Sequence, residues 1–599
     1  MATLEEIALK EIKSKEALLF LWKHLKKDFL PVFLGILCLI AADFTQIVIY
    51  RIVGNTVDAL SSLTVMQKLI IKNSLIILGL AIFMAIIRFL WRYFIIGNSR
   101  KKEREIRRQM FNHLQTLSFS FFNKTKTGDL MALLINDLSA VQRTLGFGIV
   151  TFIDIIFLGS MALVAMFNID AKLTLITITP LPIIVFIMIF FGRLIEEKFS
   201  KVQESFSTIS AHAQESFSGV RVLKGFLQEE EDSKSFYKDS EDYVERNIDL
   251  VKIWGFFFPS INFLASLSTC LFYLFGLKGI ILKSISIGQA LAFLSYLNMI
   301  VWPMMGIGFV FNMLSRGLAS TKRILALLNT EPEIVDREVV HLEKIEGDVK
   351  IQNLTFAYDK SSKPVLKNIN IHIEKGSSLG IMGKPGSGKS TLVSLLFHLF
   401  PVPENSIFID GYDINEIPLN VIRKAIGYVP QDSFLFSDTL ANNIALGIPE
   451  DKIDMEKIIN YAKIAAIHDD IMELKDGYST VIGERGITLS GGQKQRVSIA
   501  RALICEPSIL ILDDALSAVD AQTERTILNL IRKEIEKRTS IIIAHRISTV
   551  KDCDNIIVIE DGSIIEQGTH SQLIKNKGYY SRLYDLQRLA EDLKAEKEA

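Results

Sequence analysis

The stretch LGIMGKPGSGKSTLVSLLF combines an apolar run, a glycine-rich turn and a helical pattern, and it carries residues suited to binding phosphate. Positions 383–390 fit G-x-x-x-x-G-K-[ST], in which glycines let backbone N–H groups close around phosphate oxygens. The helix that follows adds the positive end of its dipole. Lys389 is predicted to reach the β- and γ-phosphates, and Ser390 offers a hydroxyl to Mg²⁺. The predicted phosphate-binding residues are Gly383, Lys384, Pro385, Gly386, Ser387, Gly388, Lys389, Ser390 and Thr391.

A second segment, SILILDDALSAVD at 508–520, reads as a buried strand that ends in two acids, Asp513 and Asp514. Asp513 is predicted to join the Mg²⁺ shell directly or through water, because Mg²⁺ takes carboxylate oxygens as ligands. Between the two segments lies LSGGQKQR at 489–496. The spacing favours a nucleotide-binding domain larger than a minimal GTPase-like arrangement.

The phosphate-binding segments need a strand–turn–helix framework, and the chain after about residue 345 has that pattern. Short Val/Ile-rich runs alternate there with polar helical patterns, as in an α/β domain. Before about residue 315 long apolar runs dominate, and hydrophobic residues make up 49% of the whole chain. Because 599 residues are too many for one core, this shift marks the main domain boundary. The zero net charge gives no indication of a nucleic-acid partner.

Six apolar runs in the first half are long enough to cross a bilayer, which takes roughly 20 helical residues. They lie at 29–50, 75–96, 147–167, 173–192, 253–276 and 288–311. The alternative, buried helices of a large soluble protein, is disfavoured because six such runs are hard to bury without lipid. Long helical segments after the second and fourth runs predict extensions into the cytoplasm, with turns near 120–130 and 218–226. The basic, amphipathic segment 17–29 predicts an interfacial helix.

Lysines and arginines predict the orientation in the membrane. The segment 97–145 carries nine of them, whereas the loops after the first, third and fifth runs carry three, one and two. The nine are Arg100, Lys101, Lys102, Arg104, Arg107, Arg108, Lys124, Lys126 and Arg143. We therefore expect a multi-pass protein of the cytoplasmic membrane whose termini and nucleotide domain face the cytoplasm.

Three ionisable residues fall within the apolar runs, where charge is costly and indicates function by default. They are Asp43, with Gln46 one turn away, Arg88 and Asp154. Either these residues form structural polar contacts between helices, or the two acids line a water-filled cavity and favour cationic substrates. Transport of a cationic dye by the Asp→Asn variants distinguishes the two interpretations.

The phosphate-binding loop, LSGGQKQR and SILILDD together resemble the nucleotide-binding domain of ABC transporters. The six runs with long extensions resemble the membrane half of an ABC exporter half-transporter, so the likeness covers essentially the whole chain. The implied fold class is a membrane α-helical bundle of six transmembrane helices followed by an α/β P-loop NTPase domain of ABC type. The implied activity is an ATPase coupled to transmembrane movement, with ATP and Mg²⁺ as cofactors.

The resemblance implies roles for three residues outside the phosphate-binding loop. Tyr358, in LTFAYD, matches the aromatic residue that stacks on adenine. Gln431, in YVPQD, matches the glutamine that contacts Mg²⁺ and the attacking water. His545, in IIIAHR, matches the histidine that holds the γ-phosphate and the water.

The resemblance also implies that two subunits share each ATP. The signature loop that caps the γ-phosphate bound to the other subunit matches Ser490, Gly491, Gly492 and Gln493. Glu484 and the segment SAVD at 517–520 match cross-subunit contacts, although the family more often has leucine at Val519. The turns near 120–130 and 218–226 fit the coupling helices, of which one docks on the chain's own nucleotide domain and the other on the partner's.

Asp514 departs from the resemblance, because the family has a glutamate there that polarises the attacking water. The aspartate is one C–C bond shorter, about 1.5 Å, and a displacement of about 1 Å can cost roughly a hundredfold in rate. Slow hydrolysis with retained ATP binding is expected. The chain either forms a homodimer with two slow sites or lends its signature to a different half-transporter that has the glutamate. The second arrangement resembles the BmrC-like subunits of heterodimeric bacterial multidrug exporters.

The sequence predicts five segments: an amphipathic N-terminal region at 1–28, the transmembrane domain at 29–317, a linker at 318–346, the nucleotide-binding domain at 347–590 and a charged tail at 591–599. The predicted function is ATP-driven export of amphipathic, multidrug-type molecules, and the alternative is a homodimeric lipid or peptide exporter. A non-transporting ATP sensor is disfavoured by the lack of a regulatory insertion, and the six runs exclude a soluble ATPase. The predicted partners are a second half-transporter, the lipid bilayer and a small-molecule or lipid substrate, with no nucleic acid.

Overall fold

Long helices fill the first half of the chain. The structure, a computed structural model, describes residues 12–61, 67–336, 340–359, 363–483, 489–516 and 521–598. The chain divides into two units. The helical unit comprises the described residues of Met1–Gln115 and Lys126–Thr330. The α/β unit comprises the described residues of Thr116–Thr125 and Glu331–Ala599.

Thirteen helices are described up to Leu328, and all except α5 belong to the helical unit. They are α1 (Ser14–Lys27), α2 (Phe29–Ser61), α3 (Gln67–Trp91), α4 (Gly97–Thr116), α5 (Phe119–Lys124), α6 (Thr127–Ala132), α7 (Leu138–Arg143), α8 (Ile149–Phe167), α9 (Ala171–Ile178), α10 (Leu181–Ser218), α11 (Val220–Gly225), α12 (Glu229–Ile281) and α13 (Ile287–Leu328). Wider π-helical turns at Arg92–Ile96, Leu133–Asp137 and Thr144–Gly148 join α3 to α4, α6 to α7 and α7 to α8.

Six helical segments among the described residues are long and apolar enough to cross a membrane, and each contains one predicted run. The second and third segments, Lys68–Thr116 and Thr127–Phe167, are far longer than a bilayer requires. The same holds for Ala171–Ser218 and Glu229–Ile281, so helical extensions lead to both predicted turns. The six-helix part of the predicted fold class is therefore confirmed.

The fourth apolar run is not one continuous helix. α9 ends at Ile178 and α10 begins at Leu181, with Pro180 between them and Pro182 in the first turn of α10. Proline lacks an N–H group and is tolerated in the first turn of a helix, so these two prolines mark a helix start. Pro259 and Pro303 lie inside α12 and α13 without ending them.

The interfacial helix predicted before the first run corresponds to α1. Its Ala17, Leu21 and His24 are buried, whereas Leu19 and Trp22 are 65% and 58% exposed. An exposed apolar stripe on a basic helix is typical of contact with lipid. The membrane contact of α1 stays a prediction.

The α/β unit contains two sheets. The strands are β1 (Val349–Phe356), β2 (Leu366–Ile373), β3 (Ser378–Gly383), β4 (Ile407–Ile409), β5 (Tyr412–Asp413), β6 (Ile426–Val429), β7 (Ile509–Asp513), β8 (Thr539–Ile543), β9 (Asn555–Glu560) and β10 (Ser563–Gly568). An antiparallel sheet has the order β2-β1-β4-β5. The larger sheet has the order β10-β9-β3-β8-β7-β6 and is parallel except for β10.

The parallel strands are buried on both faces because their residues alternate between two apolar cores. In β7, Leu510 and Leu512 belong to one core, and Ile509 and Ile511 belong to the other. Burial on both faces explains why these strands read as continuous apolar runs in the sequence. The surrounding helices are α14 (Lys389–Leu396), α15 (Leu419–Ala425), α16 (Leu440–Ile444), α17 (Met455–Ile464), α18 (His468–Met472), α19 (Gly491–Ile504), α20 (Ala521–Ile535), α21 (Ile547–Val550), α22 (His570–Lys575) and α23 (Tyr579–Glu598).

Candidate functional site: a nucleotide site at one edge of the parallel sheet

The predicted phosphate-binding loop connects the end of β3 to the start of α14. Gly383 and Gly388 have φ angles of 150° and 101°, which L-residues with side chains rarely adopt. A Cβ atom at Gly383 would collide with the carbonyl oxygen of Ile559, and one at Gly388 would lie 2.8 Å from Leu366 Cδ2. Both glycines are therefore required by this tight turn.

Lys389 and Ser387 turn their polar atoms into the loop. Lys389 is 7% exposed, and its Nζ donates to the carbonyl oxygens of Gly383 and Lys384, each at 2.9 Å. Burial lowers the pKa of the Lys389 ammonium, and the nearby Asp513 and Asp514 act in the opposite direction. Within the described residues, the buried Ser387 Oγ has no hydrogen-bond partner. Ammonium and hydroxyl donors beside a glycine turn form a cradle for phosphate oxygens.

Most of the remaining predicted phosphate-binding residues lie at the surface. Lys384, Pro385 and Gly386 are exposed, and the Lys384 Nζ forms an ion pair with Glu560 at 2.6 Å. Thr391 is buried, and its Oγ1 lies 2.8 Å from the hydroxyl oxygen of Tyr358. The loop thus contains one buried and one solvent-facing lysine.

Asp513 lies at the carboxyl end of β7, beside the phosphate-binding loop. The side chain is 3% exposed. Burial raises the pKa of this carboxyl group; Asp514 adds to the shift, whereas hydrogen bonds from Ser390 and Tyr428 and the charge of Lys389 oppose it. A Ser390 hydroxyl beside an aspartate provides the hard oxygen ligands that Mg²⁺ prefers.

Asp514 and His545 line one cavity of 140 Å³. His545 follows the end of β8, the strand next to β7, so the adjacent strand ends bring the two residues together. Asp514 has a left-handed backbone with φ 49°, and its N–H donates to Ile543 O at 2.9 Å. Glu524 also lines the cavity, but its carboxylate accepts hydrogen bonds from Arg546 and Thr549.

Gln431 and Tyr358 are exposed at the edges of this region. Gln431 follows β6, which pairs with β7 in parallel, so its strand ends on the same side of the sheet as Asp513. Tyr358 is 46% exposed, and its ring packs edge-on against Phe356 and Phe400 at 5.3 and 5.0 Å between centroids. The exposed part of this ring can take a planar ligand.

The turn Thr116–Thr125 also belongs to the α/β unit. Phe119 of α5 packs edge-on against Phe400 at 5.7 Å between centroids. Ser118 Oγ donates to Glu333 at 2.8 Å, and Lys124 Nζ bonds Asp359 at 3.0 Å. These contacts confirm the prediction that one of the two turns docks on the chain's own nucleotide domain.

The signature residues form the start of α19. Ser490 Oγ accepts from the N–H of Gln493 at 3.2 Å, and the Gln493 side chain accepts from the N–H of Ser490 at 3.0 Å. This reciprocal capping box fixes the first turn. Ser490 and Gly491 are exposed, whereas Gly492 is buried. The motif thus presents its first residues to solvent on a rigid helix start.

Sequence reasoning missed the support of the signature. Asp470 accepts a hydrogen bond from Gln493 Nε2 at 2.8 Å and binds the guanidinium of Arg496 at 2.9 and 3.0 Å. The only signal in the sequence is an acidic pair, Asp469 and Asp470, at a helix start. Glu484 and the segment 517–520 lie outside the described residues.

The three intramembrane residues come from three helices and meet in the helical unit. Asp43 of α2 is 7% exposed, and it interacts electrostatically with Asp154 of α8 and Arg88 of α3. Arg88 donates a hydrogen bond to Gln46 Oε1 at 3.0 Å. Helices far apart in sequence therefore assemble one polar cluster.

The donor set at the sheet edge fits a nucleoside triphosphate with Mg²⁺. Ser387 Oγ is an orphaned buried donor, the turn requires glycine at Gly383 and Gly388 because a Cβ atom would clash at either position, and Ser390 and Asp513 supply hard oxygen ligands. Open parallel sheets bind ligands at the carboxyl ends of their strands, which is where these residues lie.

Comparisons with known proteins agree with this fold. The family model of the ABC transporter transmembrane region matches residues 32–304, and the family model described as ABC transporter matches residues 366–517. The probable multidrug resistance ABC transporter ATP-binding/permease protein YheI of Bacillus subtilis is 36% identical over 94% of this chain and 96% of its own. The ATP-dependent lipid A-core flippase of Syntrophus aciditrophicus is 34% identical over 81% of this chain and 80% of its own.

A solved structure shows the same architecture. A bacterial Atm1-family ABC exporter with ATP bound superimposes with a TM-score of 0.76, at 27% identity, covering 94% of this chain and 99% of that one. The predicted fold class and the predicted ATPase-driven transport are confirmed. The chain belongs to the ABC transporter family, as a half-transporter whose transmembrane region precedes a single ATP-binding domain.

Proposed function

We propose that this chain is the slowly hydrolysing half of a heterodimeric ABC exporter that moves amphipathic, multidrug-type molecules out through the cytoplasmic membrane. The observation that carries the proposal is the short Asp514 beside His545, at a site whose phosphate-binding loop is intact. The relative from Bacillus subtilis bears a multidrug name, which supports the substrate class.

ATP binding would rest on residues from several strand ends. Lys389 and the loop N–H groups would hold the phosphates, and Tyr358 would stack on the base. Ser390, Gln431 and Asp513 would hold Mg²⁺, which when bound supplies charge neutralisation at the phosphates. Burial raises the pKa of the Asp513 carboxyl group, whereas the charge of Lys389 and the hydrogen bonds from Ser390 and Tyr428 act against that rise.

Hydrolysis would be limited by Asp514, the residue placed to orient the attacking water. Its left-handed backbone is fixed by the N–H bond to Ile543, so the main chain has little freedom to advance the carboxylate. A shortfall of about 1.5 Å exceeds the displacement of about 1 Å that costs roughly a hundredfold. His545 would hold the γ-phosphate, but cannot supply the missing carboxylate reach.

The signature supports a heterodimer. Ser490 and Gly491 are exposed, and the capping box and Asp470 keep the helix start ordered. On a chain whose own site has Asp514 in place of glutamate, an intact signature motif would contribute most to hydrolysis by completing the ATP site of a different partner. We propose that the partner carries glutamate after its own Mg²⁺-binding aspartate.

Coupling to the membrane helices would begin at the docked turn. The ring of Phe400 contacts the ring of Phe119 on one side and that of Tyr358 on the other. Lys124 bonds Asp359, the residue that follows Tyr358. A nucleotide that orders Tyr358 would therefore restrain α5, which the chain links to α4 and α6. The excess of basic residues at 97–145 supports a cytoplasmic position for this turn.

The second candidate is a homodimeric lipid or peptide exporter of the same fold. The similarity to a lipid A-core flippase supports it. A homodimer would contain two copies of Asp514 and would hydrolyse ATP slowly at both sites.

The test compares Asp514→Glu with Asp514→Asn and the unchanged chain, each purified alone in nanodiscs. We expect slow hydrolysis by the unchanged chain and a rise of up to about a hundredfold for Asp514→Glu. Asp514→Asn keeps the side-chain length without the charge and should be no faster than the unchanged chain. Full exporter turnover by the unchanged chain alone would contradict the slow-site proposal.

A further inference from the structure

An acidic pair within the membrane helices lacks the partners that buried charges need. The Oδ2 atom of Asp43 and the Oδ1 atom of Asp154 are buried, and neither has a hydrogen-bond partner among the described residues. Asp43 as a whole is more than nine-tenths buried. Buried carboxylates are normally paired or hydrogen-bonded, so two orphaned oxygens from two helices indicate a missing ligand.

The charge of Arg88 acts on both acids, but its guanidinium group is hydrogen-bonded to Gln46. Its guanidinium donates to Gln46 Oε1 at 3.0 Å, and Gln46 Nε2 in turn lies 3.3 Å from the Tyr50 hydroxyl oxygen. The charged groups acting on Asp43 are Asp154 and Arg88. Two carboxylates and one guanidinium leave one negative charge without compensation when all three are ionised.

The surroundings favour an organic cation over an inorganic one. Leu39, Ile95 and Val150 form an apolar cluster against which Trp91 and Ile153 pack. All of these except Ile95 lie within about one helical turn in sequence of Asp43, Arg88 or Asp154. Among the described residues, no group of three or more His, Cys, Asp or Glu side chains could hold a metal ion. An apolar wall beside a single excess negative charge suits a lipophilic molecule with one positive charge.

We infer that Asp43 and Asp154 form an intramembrane binding site for the positive charge of a lipophilic monocation. The cation supplies the positive charge that this cluster lacks when Asp43, Asp154 and Arg88 are all ionised. Arg88 limits the site to one positive charge because its guanidinium charge, which acts on both acids at a distance, offsets one of the two negative charges. The role of this site in export rests on the proposed function, whereas the binding itself does not.

The test measures equilibrium binding to the full-length chain in nanodiscs without nucleotide. Tetraphenylphosphonium and tetraphenylborate have nearly the same size and shape but opposite charge. We expect the unchanged chain to bind the cation at least about tenfold more tightly than the anion. Binding of the cation should weaken as the pH falls, because protons would compete with the cation for the two carboxylates.

Asp43→Asn and Asp154→Asn should each weaken cation binding by about tenfold or more, since each removes a charge in a low-dielectric site. Asp170→Asn is the matched control, because Asp170 accepts from Leu173 N at the start of α9 and asparagine caps helices equally well. It should bind the cation as the unchanged chain does. ATP binding by each variant reports that it has folded.

Equal affinities for the cation and the anion in the unchanged chain would overturn the inference, even if neither Asp→Asn variant folded. Unaltered cation binding by a folded Asp43→Asn variant would do the same. Because no nucleotide is present, these outcomes are independent of the ATPase results on Asp514. Loss of transport with intact cation binding would count against the proposed export and not against this site.

Discussion

Two helices of the α/β unit, α14 and α19, begin at motifs predicted to bind phosphate, but their first turns differ. α14 follows Gly388, and no side chain among the described residues caps it. α19 follows Ser490, which forms a reciprocal cap with Gln493. Uncapped N–H groups gain most from an anion. The P-loop is thus a site that a ligand completes, whereas the signature is already complete before any ligand arrives.

The P-loop and the signature also differ in how deeply their residues are buried. Lys389 is buried in its own loop, whereas Ser490 and Gly491 face solvent. A buried phosphate-binding group can bind ATP within its own chain. The exposed signature residues can contact ATP only when another subunit brings its bound ATP to them. The comparison therefore separates affinity, which depends on the P-loop, from turnover, which also depends on the signature of the opposite chain.

Lys389→Ala should produce the largest effect on the P-loop side. Removing a buried ammonium that makes charge-assisted bonds to phosphate should weaken ATP binding by about a hundredfold. Lys384→Ala is the matched control, since Lys384 is in the same loop but bonds Glu560 at the surface. Nucleotide titration of the purified chain measures both, and equal losses for the two variants would show that the loop is generally fragile.

Ser490→Asp should slow turnover on the signature side without affecting the chain's own ATP affinity. Aspartate caps a helix as well as serine does, but its charge would repel a phosphate, so ATPase activity of the assembled transporter should fall about tenfold or more. Ser490→Asn caps without charge and should lose much less. If Ser490→Asp weakened ATP binding to the isolated chain, the proposed division between affinity and turnover would be wrong.

The P-loop was predictable because its chemistry is local in sequence. Gly383 to Ser390 are consecutive, and the strand and helix on either side follow from an apolar run and a helical pattern. The orphaned state of Ser387 Oγ was not predictable, because it depends on how the loop folds back against β9. Apolar length likewise predicted six spans, but not the break at Pro180, since proline ends some helices and is accommodated in others.

The signature was predictable in its own residues but not in its support. Asp470 lies 20 residues before Ser490 in the sequence, and only the packing of α18 against the start of α19 brings its carboxylate to Gln493 and Arg496. The membership of Thr116–Thr125 in the α/β unit has the same cause, because it depends on side-chain contacts such as Phe119 with Phe400. Long-range contacts of this kind leave no periodic trace in the sequence.

Tyr358 should give the smallest effect on the P-loop side of the comparison. Its ring would contact the base of ATP, so it would add to ATP affinity without touching the phosphates. Tyr358→Ala should weaken ATP binding by about fivefold, as expected for loss of partly exposed stacking. Tyr358→Phe keeps the ring against Phe356 and Phe400 and loses only the bond to Thr391, so its ATP affinity should change less than about twofold. Inorganic triphosphate provides the control, since it lacks a base and should bind all three chains equally. A parallel loss of triphosphate affinity in Tyr358→Ala would mean that the ring supports the phosphate-binding loop through Thr391, and base recognition would then have to come from another residue.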